Sequence, residues 1–302
     1  MRVQRTTWKR LRAAVLFGGP WRVRPVHRLV VAEGDPEHQR DDRKLDDECG
    51  QQQDPDPQMH QLRCYYWPVQ AQVKIELAKL AEEVAACRRC PRLVAWREEV
   101  ALERRAAFAA EEYWGRPLPG FGDPAARLLV LGLAPAAHGA NRTGRMFTGD
   151  RSGDFLFAAL SRAGLASQPA SIARGDGLRL RDTWISAAVR CAPPGNRPTP
   201  AERDACLPWS VRELRLLENV RVLICLGAFA WSAALRLILA ARGGGSLLRP
   251  QPRFAHGAEF AGETYSLLGC YHPSQQNTFT GRLTEPMMDV VLGRARVLAG
   301  LA

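Results

Sequence analysis

Four cysteines stand in two local pairs, Cys87-Arg-Arg-Cys90 and then Cys191 and Cys206 with 14 residues between them, and 100 residues separate the pairs. Four thiolates grouped in this way are a ligand set for zinc or for an iron–sulfur cluster. The second pair is spaced too widely for a zinc-ribbon knuckle, which favours a cluster. Such a set leaves no open metal position, so its role would be structural, tying the helix before Cys87 to the loop after Val189. The alternative is a collection of unrelated thiols. Eight cysteines in 302 residues are too few for a disulfide scaffold, and no thioredoxin-like βαβ pattern surrounds the CxxC, which disfavours a redox dithiol. Cys225 and Cys270 lie in apolar, strand-like runs and read as small buried hydrophobes.

Two polar segments could do chemistry. Residues 134–150 begin Ala134-Pro-Ala-Ala-His138 and hold Gly139, Asn141, Arg142, Gly144, Arg145, Phe147, Gly149 and Asp150. Glycines let a backbone approach a ligand closely, and arginines contact phosphate. Phe147, an aromatic ring in a polar loop, suits stacking on a base; its competing role is that of a core anchor for a long loop. Neither GxGxxG nor GxxxxGK[ST] is present, which argues against dinucleotide and nucleoside-triphosphate loops. The second segment is His272-Pro-Ser274-Gln-Gln-Asn277, followed by Gly281-Arg282. By itself His272 reads more readily as a satisfied structural histidine than as a catalyst, and His256 is read as structural.

These segments need elements to position them. Apolar runs at residues 127–133, 183–189, 220–225 and 264–271 predict four strands. Helices are expected near residues 73–86, 94–110, 152–165, 200–217, 228–241 and 285–301, with Ser152 as the N-cap of the third. Alternating strands and helices predict an α/β fold with a parallel sheet covered on both faces. Ligands then bind beyond the carboxyl ends of the strands, in the loops after Leu133, Val189 and Tyr271.

The chain carries 42 Lys and Arg against 31 Asp and Glu, a net charge of +11, and only four of the cations are lysines. That excess points to a polyanionic partner, nucleic acid being the commonest. Residues 1–70 carry 12 cations and 10 anions without sustained periodicity. They are expected to be a disordered extension or an over-long gene reading, with the functional domain at residues 71–302. The apolar run at residues 222–241 is divided by Gly227 and reads as a strand followed by a helix, not a membrane span. No membrane association and a reducing, cytoplasmic compartment are expected.

Taken together, the cysteine spacing, residues 132–145 (GLAPAAHGANRTGR), 147–150 (FTGD) and 272–277 (HPSQQN) resemble the uracil-DNA glycosylase superfamily. The likeness is strongest to its family 5, the iron–sulfur enzymes, and covers about residues 77–300. It implies a three-layer α/β sandwich with a four-stranded parallel sheet and a [4Fe-4S] cluster on Cys87, Cys90, Cys191 and Cys206. It also implies hydrolysis of the N-glycosidic bond of uracil in double-stranded DNA, leaving an abasic site and an uncut strand. Phe147 would stack on an extruded uracil, and His272 would donate to its O2. Ala134, His138, Ser186 and Asn277 would complete the base pocket, while Arg142, Arg145, Ser274 and Arg282 would touch the DNA backbone. Positions that carry a general base in other families correspond to Ala134 and Ser186, which cannot take a proton. That leaves a dissociative cleavage in which Asn141 orients water and Asp150 is the nearest acid. A pocket with alanine at 134 would also admit hypoxanthine and other deaminated bases, and a monomer suffices for base flipping. A family-4-like enzyme would show an acid near Ala134. The remaining alternative is a non-catalytic iron–sulfur or zinc protein that only grips DNA.

Overall fold

The computed structural model describes residues 57–245 and 250–301, with side chains from residue 70 onward. The segment read as an extension lies outside the described residues up to position 56. Helix α1 (Pro57–Ala85) begins well before the 73–86 expected and, among its described side chains, buries Leu77, Leu80 and Val84. Helix α2 (Pro91–Glu103) starts earlier than expected because Pro91 suits a first helical turn. It ends at Arg104, whose φ of 51° is left-handed, so the helix does not reach residue 110.

Four strands form the parallel centre of the sheet: β2 (Leu128–Gly132), β3 (Thr183–Ala187), β4 (Val222–Leu226) and β6 (Ser266–Cys270). Two more were not legible in the sequence. β1 (Phe121–Gly122) and β5 (Glu259–Ala261) pair antiparallel at the two edges, in the order β1-β3-β2-β4-β6-β5. The expected four-stranded sheet is therefore the core of a six-stranded mixed one. Strands of two and three residues are too short to show a period of two.

Every residue of β2, β3 and β4 is buried, as a parallel sheet covered on both faces requires. Leu128, Val130 and Ile185 face one core with Leu156, Phe157 and Leu160 of α4 (Arg151–Arg162) and Val291 and Leu292 of α8 (Glu285–Leu298). Leu129, Leu131 and Trp184 face the other, with Leu214 of α5 (Pro200–Leu216) and Trp231 and Leu237 of α6 (Ala228–Ala241). Each such leucine contributes about 1.5–3 kcal/mol by leaving water. Helix α5 opens with a capping box between Thr199 and Glu202. Two short helices lie in the loops that matter below: α3 (Ala140–Thr143) after β2, and α7 (Gln275–Phe279) after β6. Among the described residues no helix is long and apolar enough to cross a membrane.

Candidate active site

A cavity of about 280 Å³ opens where β2, β3 and β6 end, walled by Ala134, Phe147, Asp150, Asn196, His272 and Ser274. Small apolar side chains, Ala140 and Ala187 among them, complete its lining. Phe147 sits in a left-handed conformation (φ 52°), a costly geometry for an aromatic residue that is kept where its surroundings enforce it. Its ring lies against Gly132 at the end of β2, where an added Cβ would come within 2.7 Å of the ring Cζ. Beside it stands His272, with ring centroids 6.0 Å apart and planes inclined by 32°.

The backbone of His272 is held from behind. Asn277 Nδ2 donates to the His272 carbonyl at 2.8 Å, and Ser274 caps α7 by accepting from the Asn277 backbone N–H. One residue earlier, Tyr271 N–H donates to Nδ1 of His256 at 3.2 Å, so the histidine read as structural fastens the exit of β6. Burial in the cavity wall pushes the His272 imidazole down to about 4. At neutral pH it is an uncharged ring that can still donate one N–H. On the same cavity wall Asp150 caps α4, its Oδ1 accepting from Gly153 N–H at 3.0 Å. The N-cap is thus Asp150 and not Ser152, because Asp150 has the extended backbone a cap needs and Ser152 lies inside the first turn. Burial raises the Asp150 carboxyl above its usual range, opposed by the backbone N–H groups of Gly153 and Ser152.

A second, tighter cavity gathers the four cysteines. Cys87, Cys90, Cys191 and Cys206 all line it, together with Arg190 and Trp209. Cys87 and Cys90 lie between α1 and α2, Cys191 lies just beyond β3, and Cys206 is in α5. Three separate parts of the chain therefore deliver the sulfurs. Burial pushes the bare Cys191 thiol up to about 12 and raises Cys90 and Cys206 as well. Among the described residues no three His, Cys, Asp or Glu side chains approach closely enough to grip a single metal ion.

The uracil DNA glycosylase superfamily profile matches residues 119–295, from just before the edge strand β1 into α8. The chain is 57% identical over 227 residues to a Type-5 uracil-DNA glycosylase of Mycobacterium tuberculosis, covering 74% of this chain and 82% of that one. It is 54% identical over 222 residues to the Type-5 uracil-DNA glycosylase of Thermus thermophilus, covering 73% and 97% respectively. The chain belongs to the uracil-DNA glycosylase superfamily. Its likeness to a Type-4 uracil-DNA glycosylase of Pyrobaculum aerophilum is weaker, 29% over 165 residues, or 54% of this chain and 67% of that one.

Five residues read as parts of a glycosylase site lie elsewhere in the structure. Asn141 is wholly buried and its Nδ2 donates to the Arg97 carbonyl in α2, while its Oδ1 has no partner. Its neighbour Ala140 is the one at the cavity, so the water-orienting role does not follow. Ser186 points to the other face of the sheet and donates to Glu213 Oε2 at 2.7 Å; strand alternation puts Ala187 at the cavity instead. His138 Nδ1 is shared with Tyr113 Oη at 3.1 Å, and burial, then Arg105 and Arg142, lower its basicity. Arg142 is engaged by the carbonyls of His138 and Gly149 and by Glu111, with Phe108 under its guanidinium. Arg145 is buried and bidentate on Asp176, at 2.9 and 2.5 Å. Neither arginine is free for a phosphate. Arg282 is exposed, stacked over Tyr271 at 4.7 Å. Sequence reasoning missed Asn196, whose signal was its place in a Pro-Pro-Gly-Asn turn; Gly195 and Asn196 both take positive φ, and Asn196 reaches the cavity wall.

Proposed function

We propose that this chain excises uracil from double-stranded DNA by hydrolysing its N-glycosidic bond, leaving an abasic site and an intact strand. The observation that carries this reading is the pair Phe147 and His272, a ring to stack on an extruded base and an uncharged imidazole to meet its edge, in one small cavity at the strand ends. As the bond breaks, negative charge collects on the pyrimidine and the His272 N–H donates to its O2. Asn277 acts through His272, holding it by the carbonyl. Asp150 is the carboxylate on the cavity wall; it stabilises the cationic sugar and aligns the water that captures it. With alanines at 134, 140 and 187 on the walls, hypoxanthine and other deaminated bases fit the same space. Ser274 and the exposed Arg282 contact the DNA backbone, and a single copy of the chain carries the whole cavity.

The thiol cavity suits a [4Fe-4S] cluster held by Cys87, Cys90, Cys191 and Cys206. Four sulfurs from three parts of the chain line one void. Burial raises the Cys191 and Cys206 thiols, which a multivalent metal centre would hold deprotonated in the proton's place. A bound cluster would supply cross-linking between the start of α2, the loop after β3 and α5, and no chemistry on the base.

The test is base release from a labelled duplex carrying one uracil opposite guanine. Breakage that appears only after alkali is the expected result. No release from protein shown to contain iron would overturn the reading in favour of a protein that only binds DNA.

A further inference from the structure

Among the described residues four arginines are buried, and three of them hold a carboxylate: Arg145 on Asp176 at 2.5 Å, Arg190 on Glu213 at 2.6 Å and Arg203 on Asp204 at 2.9 Å. Arg97 differs from these three, since its one carboxylate contact is long and shared. It is 2% exposed, and its Nη1 donates to Cys191 Sγ at 3.0 Å while both Nη atoms donate to the Cys87 carbonyl at 3.3 Å. One guanidinium therefore touches a member of each cysteine pair. Its Nε has no partner. Nη2 also donates to Glu98 Oε1 at 3.5 Å, but Glu98 is partly exposed and already clasped by both Nη atoms of Arg88. A buried cation without a matched counter-ion is among the most expensive arrangements a fold can contain. An arginine keeps its charge, and the closest buried group able to balance it is the Cys191 sulfur at 3.0 Å, once that sulfur is a metal-bound thiolate.

We propose that Arg97 is the counter-charge built in for a thiolate-bound cluster. It donates to the Cys191 sulfur, offsets part of the negative charge of the four thiolates, and raises the reduction potential of the group they hold. The inference rests on the cluster reading above. Arg97 is a positioning residue and takes no part in base excision. Arg89 supplies an internal contrast, since it lines the same cavity but is exposed, with its guanidinium over Trp209 at 4.6 Å. Water and salt screen its charge.

The experiment compares the full chain with Arg97→Gln, Arg97→Lys and Arg89→Gln, purified without oxygen. Iron and sulfide content, visible absorption and the midpoint potential from voltammetry are measured on each. In Arg97→Gln the midpoint is expected to fall by at least about 59 mV, a tenfold shift in the ratio of oxidised to reduced cluster at a given potential. Arg97→Lys keeps most of the wild-type value and Arg89→Gln keeps all of it. A Gln variant that folds but takes up no iron, beside a Lys variant that loads fully, supports the same conclusion. Full loading and an unchanged midpoint in Arg97→Gln would overturn it. So would iron loss shared equally by the Gln and Lys variants, which would make shape and not charge the requirement. Absence of iron from the wild-type protein overturns the cluster reading and this inference with it, whereas iron in the wild type and no shift in the variant overturns the inference alone.

Discussion

Replacing His272 by alanine takes one hydrogen-bond donor out of the cavity and leaves its other walls in place. With its basicity pushed down to about 4 from 6.5, the imidazole is protonated in about one molecule in a thousand at pH 7. Its contribution is then that of a neutral donor aimed at developing charge. Loss of one such donor costs about 2.7–4 kcal/mol of transition-state stabilisation, or about 10²–10³ in rate. Single-turnover release of uracil from a U·G duplex should slow by that factor in His272→Ala, while binding of a duplex with an uncleavable uridine analogue stays within a few-fold. The wild-type rate should also lack an inflection near pH 6.5, with any acid limb moved toward pH 4. The same shift bears on stability. The native protein binds fewer protons than the unfolded chain between about pH 6.5 and 4, so stability is complete above 6.5 and declines as pH falls through this window. The loss amounts to at most about 3 kcal/mol. An inflection at about pH 6–7 that vanishes in His272→Ala, or a variant rate within about threefold of wild type, would refute this account.

Four further predictions concern the cavity and the charges around it. Asp150→Asn keeps an acceptor for the Gly153 N–H and should change unfolding free energy by well under about 1 kcal/mol, whereas Asp150→Ala loses the cap and about 1 kcal/mol; a large drop in base release common to both, measured beside urea unfolding, separates carboxylate from cap. Arg282→Ala should lower the slope of log affinity against log salt by about 0.9 with stability unchanged. Arg145→Ala should do the opposite, keeping the slope and losing stability because Asp176 loses its charged partner; anisotropy titrations of labelled duplex, with urea unfolding alongside, check both. Glu213→Gln strands the buried charge of Arg190 and should cost about 3–5 kcal/mol in urea unfolding, with Ser186 losing no more than a charged acceptor.

Much of this protein could be read from residue types and local spacing. The thiol set needs only the pairs Cys87/Cys90 and Cys191/Cys206, and the structure brings all four to one cavity. Phe147 and His272 were legible because each lies beyond a strongly apolar strand, and parallel strands deliver the segments after them to one end of the sheet. The central strands themselves were visible as unbroken buried runs.

Folding in three dimensions decided the rest. A strand buried on both faces has no alternation in its sequence, so nothing in residues 183–187 told that Ala187 and not Ser186 meets the cavity. In the turn after β2 the difference is again one residue, Ala140 toward the cavity and Asn141 into the interior against Arg97. Arg142 and Arg145 looked free for DNA because Glu111 and Asp176 each lie 31 residues away in the chain; only the fold reveals which charges are already spoken for. Edge strands of two or three residues take their shape from neighbours, not from their own composition. Arg97 reads in the sequence as one more arginine on a charged helix, and its contact with the Cys191 sulfur, 94 residues away, exists only in the tertiary structure. Residue chemistry is a local property and is written in order, whereas burial and pairing depend on contacts between distant segments.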